Sequence, residues 1–147
     1  MSSKTRLANA AWEALMGTHA ALMKEFQAEP IWGELSMREY DVLYTLSKCS
    51  APVSLSELNA HVLLSQPAMS RMVERLVARG LIDRGRDPAD GRGVRLSLTP
   101  AGAKLQREVG RAHAVSVARA LEHLEREDLI ELERLCEAIT NRDEVRT

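Results

Sequence analysis

A mainly α-helical chain carrying one small β-hairpin is the fold class the sequence predicts, and three observations carry that prediction. Apolar residues recur near 3.6-residue spacing along most of the 147 residues. One short stretch, Val94 to Leu98, instead alternates apolar and polar side chains at period two, the mark of a half-buried strand. Hydrophobic residues are 45% of the chain but aromatics only 3%, so the core is built of Leu, Val, Ala, Ile and Met, which suits helices better than a β-sandwich.

A first helix is predicted from Thr5 to Gln27, with Leu7, Ala11, Leu15, Leu22, Met23 and Phe26 on its apolar stripe. Glu29-Pro30 ends it, because a residue before proline disfavours helical backbone. Ser36-Met37-Arg38-Glu39 is a capping box that opens a second helix reaching Lys48. Its apolar residues Met37, Tyr40, Leu43, Tyr44 and Leu46 fall on more than one side, which places it centrally. Ser54-Leu55-Ser56-Glu57 is a second capping box, opening a short helix to Val62. Ser65 caps a third helix that tolerates Pro67 in its first turn. Met69, Met72, Val73, Leu76 and Val77 form its inner stripe, and Gly80 stands where a left-handed residue closes a helix.

Two short helices joined by a tight turn, the second with a polar and basic outer face, form a helix-turn-helix. Leu81-Ile82 follows at once as a short apolar run. The turn-forming Asp87-Pro88-Ala89-Asp90-Gly91-Arg92-Gly93 then leads into the alternating strand, so a hairpin wing is attached to the second helix of the pair. Thr99 and Pro100 restart helix as N-cap and first residue, and this long helix is predicted to reach His123. A last helix spans Glu127 to Asn141, with Leu129, Leu132, Leu135, Cys136 and Ile139 on its stripe. The chain has no internal repeat and no low-complexity linker.

Charge is distributed unevenly. Between positions 71 and 95, seven arginines (Arg71, Arg75, Arg79, Arg84, Arg86, Arg92, Arg95) stand against four acids (Glu74, Asp83, Asp87, Asp90). The segment is net +3 in a chain of net charge −1, so the remainder sums to −4. Cations gathered on one helix-plus-hairpin unit suit a reader of double-stranded DNA. Gln66 can bond adenine and Arg71 guanine in the major groove, while Pro67 and Ala68 can touch a thymine methyl. Ser65, Ser70 and Arg75 can equally hold phosphates. Arg84, Arg86 and Arg95 read either as phosphate contacts or as salt bridges of the wing. Arg92 at the hairpin tip can enter a narrow minor groove. Arg79 suits the negative end of the helix dipole as well as it suits DNA.

These features together resemble the MarR family of multiple-antibiotic-resistance-type transcriptional regulators. The likeness rests on Gly80-Leu81-Ile82 with Arg84, on Asp87-Pro88 with Asp90 and Arg92, and on the closing Val94, Leu96, Leu98, Thr99 and Gly102. It implies one winged helix-turn-helix domain over residues 1–147, with the DNA-binding lobe at 36–99 and a helical dimerisation region at 1–30 and 100–147. It implies a homodimer, most often a repressor, on a pseudo-palindromic operator and released by a small aromatic or phenolic effector. The family pattern makes Asp90 a brace for Arg92. The family's effector pocket maps to Trp12, His19, Tyr40, Tyr44 and His113. The chain is too short to bury the apolar faces of its first and last two helices alone, which independently points to a second subunit.

Other classes fit less well. There is no Gly-rich phosphate loop, no G-x-S-x-G and no H-E-x-x-H, so nothing suggests an enzyme or a cofactor. His19, His61, His113 and His123 are scattered, with no metal-ligand spacing. Cys49 and Cys136 form no C-x-x-C pair and read as thiols in a reducing cytoplasm; a thiol-responsive regulator of the same family is an alternative. No apolar run suits a membrane span and no signal-peptide core opens the sequence, so the expected location is cytoplasmic. A winged-helix protein-interaction adaptor is the alternative from another class.

Overall fold

The computed structural model describes residues 1–62, 64–86, 89 and 93–142. Among the described residues, six helices and one hairpin follow in the order α1 (Ser3–Gln27), α2 (Met37–Ser47), α3 (Leu55–Asn59), α4 (Gln66–Ala78), β1 (Ile82–Arg86), β2 (Val94–Leu98), α5 (Pro100–Ala120) and α6 (Arg126–Thr140). The chain divides into two compact units, Met1–Ala114 and Val115–Thr147.

Local chemistry accounts for the helix starts. Both expected capping boxes are formed: the Ser36 and Ser54 hydroxyls accept the Glu39 and Glu57 amides, and each glutamate accepts the serine amide in return. Ser65 accepts the Ala68 N–H at the start of α4, and Gly80 ends that helix at φ +74°. Helix α3 is shorter than expected, stopping at Asn59 instead of Val62, and α5 stops at Ala120 instead of reaching His123. Periodicity continues through both of these ends because turn residues can still point inward: Val62 is buried although it lies outside the helix.

The most deeply buried side chains of the first unit come, one or two each, from five elements. Val42 and Leu43 of α2, Leu58 of α3, Met69 and Leu76 of α4, Ile82 of β1 and Leu96 of β2 are all at most 2% exposed. The predicted stripe of α4 is buried at Met69, Met72, Val73 and Leu76, with Val77 half-buried at its edge. Tyr44, expected among the apolar residues of α2, is 44% exposed.

The strands pair antiparallel in the register Ile82 with Leu98, Arg84 with Leu96 and Arg86 with Val94. A third segment joins this sheet: the Val53 and Leu96 amides each donate to the other's carbonyl, at 3.0 and 2.7 Å. The chain entering α3 is thereby stitched to the wing, a connection that no sequence periodicity signals.

A compact joint links α4, β1 and α5. The Thr99 hydroxyl donates to the Gly80 carbonyl (2.6 Å) and accepts the Gly102 amide (2.9 Å), while the Thr99 amide donates to Leu81 (3.2 Å). One threonine therefore caps α5 and holds the end of α4.

In the second unit, α6 has no buried residue. Leu129, Leu132, Leu135 and Ile139 stand 38 to 55% exposed along it. Off this stripe, Arg134 forms a two-bond pair to Glu131 at 2.7 and 2.8 Å, near an exposed Ile130.

Candidate nucleic-acid interface

The outer face of α4 presents Gln66, Pro67, Arg71 and Arg75, all exposed, while Ala68 and Ser70 are half-buried. The Ser65 hydroxyl is occupied as acceptor in the helix cap, leaving its O–H to donate. Ser70 does not share the outermost face; it lines a small cleft with Val73, Arg84, Val94 and Leu96, between the helix and the hairpin. The arginines of the hairpin are divided by the strand pleat. The register places Arg84 and Arg86 on the face shared with Leu96 and Val94, and Arg95 on the opposite face.

Among the described arginines of the segment 71–95, Arg79 and Arg95 form ion pairs. Arg79 reaches back to the start of α2, with Nη1 3.4 Å from Glu39 and Nη2 3.9 Å from Glu34. Arg95 pairs with Glu57 of α3 at 3.2 Å. Arg95, which the sequence leaves open as a phosphate contact or a salt bridge of the wing, makes this ion pair from β2 to α3. Arg92 and Asp90, with the wing-tip residues 87, 88 and 91, lie outside the described residues.

The five residues mapped to an effector pocket do not form one site. His19 and Tyr44 line a groove of about 630 Å³ together with Arg38, Asp41, Lys48 and His61. Tyr40 and His113 lie instead in a packed aromatic cluster with Phe26 and Trp32, with centroids 5.1 to 5.6 Å apart around the His113 ring. The Trp32 indole N–H is satisfied by the Phe26 carbonyl at 2.8 Å. Trp12 is 58% exposed on α1 and belongs to neither group. Burial pushes the Asp41 carboxyl up from its usual range, against the opposing pull of His113 and Arg38. Burial also raises the Tyr40 phenol, partly offset by its hydrogen bond to Gln106. Among the described residues no cluster of His, Cys, Asp or Glu is placed to hold a metal, and no helix is long and apolar enough to cross a membrane.

The family model of the MarR family matches residues 34–93, the segment that holds α2, α3, α4 and β1 and ends just before β2. An HTH-type transcriptional regulator of Mycobacterium tuberculosis is 32% identical over 96 residues, spanning 54% of this chain and 67% of that protein. The chain belongs to the MarR family. Its fold is shared with solved MarR-family proteins across nearly the whole length. A mutant of Escherichia coli MarR complexed with operator DNA superposes with a TM-score of 0.70 at 22% identity, covering 95% of this chain and 99% of that one. The PcaV regulator of Streptomyces coelicolor, in complex with its natural ligand, gives 0.67 at 26% identity and 96% coverage of both chains.

As a MarR-family transcriptional regulator with a DNA-binding winged helix, the protein carries groove residues that the sequence reading missed: Arg38, Asp41, Lys48, Cys49 and His61. A signal was present. Arg38, Asp41, Thr45 and Lys48 recur at three- and four-residue spacing on one face of α2, opposite its core stripe. This polar face borders the groove.

Proposed function

We propose that this MarR-family regulator is a homodimeric repressor that inserts α4 into successive major grooves of a pseudo-palindromic operator and lets go when a small aromatic or phenolic effector binds. The observation that carries the reading is the polar face of α4. Gln66, Pro67, Arg71 and Arg75 stand exposed on a helix whose other face is anchored by four buried apolar residues. Gln66 and Arg71 read bases, whereas Ser65, Ser70, Arg75, Arg84 and Arg86 hold phosphates. Arg92, braced by Asp90, probes the minor groove. The apolar stripes of α1, α5 and α6 pair with those of a second copy. The groove beside Tyr44 suits the effector: an aromatic ring faces solvent there, and Arg38, Lys48 and His61 offer donors to a phenolate or similar acceptor.

A mobility-shift titration against DNA upstream of the gene, at two salt concentrations, tests the central claim. A complex whose affinity falls steeply with salt is expected. No shift at low salt would leave the protein-interaction adaptor as the better reading. Two variants then separate the roles. Arg92→Ala should weaken binding by about 1–3 kcal/mol and flatten the salt dependence; unchanged affinity and slope would remove Arg92 from the interface. Arg71→Ala should change sequence preference at one position of each half-site. Equal weakening on all sequences would make Arg71 a phosphate contact instead.

A further inference from the structure

Glu57 occupies an unusual position between two structural roles. Its backbone amide donates to the Ser54 hydroxyl (3.1 Å), and one of its carboxylate oxygens accepts the Ser54 amide (3.4 Å), which closes the N-terminus of α3. The other oxygen accepts from Arg95 Nη1 at 3.2 Å. Arg95 lies on β2 next to Leu96, and Leu96 is the residue whose backbone pairs with Val53, directly before Ser54. Two consecutive wing residues are thus attached to one five-residue segment, residues 53–57. One attachment is through backbone and the other through a charge pair.

We propose that Glu57 is a positioning residue for DNA recognition, holding the wing at a set angle to the helix-turn-helix through Arg95. The inference rests on the DNA-reading function proposed above. The pair is partly exposed, with the Arg95 side chain at 31% and Glu57 at 55%, so it adds little to global stability. Its consequence is geometric. Arg95 points to the face of the hairpin opposite Arg84, and a tether there restrains the rocking of β2 about the Val53–Leu96 pair. An operator reader needs that restraint, because helix and wing must meet their grooves together.

Simple electrostatics predicts the opposite sign. A carboxylate beside a phosphate-binding surface repels DNA, so neutralising it should tighten binding to every duplex. Glu57→Gln distinguishes the two accounts, because glutamine serves equally well at the third position of a capping box and keeps α3 closed. Binding should be measured for wild type, Glu57→Gln, Arg95→Gln and the double variant, on a duplex selected from genomic fragments by the wild-type protein and on a scrambled duplex of equal length. The ratio of selected to scrambled affinity should fall about threefold to tenfold in each single variant, with the double variant no worse than either. Amide hydrogen exchange in the DNA-free protein should show Val53 and Leu96 exchanging faster in Glu57→Gln. Equal tightening on both duplexes, or unchanged exchange at Val53 and Leu96, overturns the proposal. A wild-type protein that does not discriminate between the duplexes overturns the DNA-reading function, and the exchange measurement still decides the tether.

Discussion

Gly102→Ala is expected to destabilise the protein by about 3 kcal/mol, a large fraction of the stability of a domain this size. The first turn of α5 passes directly over the Leu81 carbonyl. A methyl group on Gly102 would collide with the Leu81 oxygen and lie 2.9 Å from its carbonyl carbon. Both partners are backbone, so no side chain can swing aside. Relief requires α5 to lift away from the joint, and that breaks the hydrogen bonds in which Thr99 holds Gly80, Leu81 and Gly102 together. The end of the recognition helix and the first residue of the wing lose their anchor at the same time, so operator affinity should fall along with stability. Gly17→Ala is the matched control. It lies inside α1 with nothing within 4 Å of the added methyl, and there alanine should stabilise by about 0.5–1 kcal/mol through its better helix propensity. Urea denaturation of both variants checks the contrast. A Gly102→Ala protein as stable as wild type would show that the close approach at Leu81 does not constrain the fold.

Leu132→Glu is expected to convert the proposed homodimer to monomer and to lower DNA affinity by about 10²- to 10⁴-fold, the advantage that two linked half-sites hold over one. Leu132 is 42% exposed in the middle of the α6 stripe, in line with Leu129, Leu135 and Ile139. A stripe of four large aliphatic residues is what a partner helix buries. A carboxylate at its centre would have to be desolvated without a partner in the assembled form, whereas in the monomer it remains in water. Sedimentation of Leu132→Glu beside Glu131→Ala off the stripe separates loss of the seam from a general effect of altered charge. If Leu132→Glu sediments as wild type does, another surface joins the subunits, or none does.

The parts of this protein legible in its sequence are those decided within about four residues. Serine at an N-cap finds its amide partner three residues on, so Ser36, Ser54 and Ser65 announce their helices with no help from the rest of the chain. Gly80 announces the end of α4 because only left-handed backbone turns the chain there. The inner stripe of α4 follows from its spacing alone, and its outer face, which carries the proposed base contacts, is what remains. The MarR-type pattern at Gly80–Gly102 is legible as a string of residues without reference to any contact among them.

Tertiary structure alone decided which of those residues meet. Seven arginines look alike in a sequence. The strand register and two ion pairs, across 38 and 40 residues, set Arg95 and Arg79 apart from the other described ones. The mapped effector residues separated for the same reason. Rings at positions 40 and 113 pack together around a common center, while His19 and Tyr44 open onto a groove whose polar lining comes from a face of α2 that carries no apolar signal. Periodicity records which side of an element is dry, because the hydrophobic effect acts on each side chain against water. It holds no record of which distant element supplies the partner, and in this protein the bracing of the wing, the joint at Gly102 and the groove are all made of such partnerships.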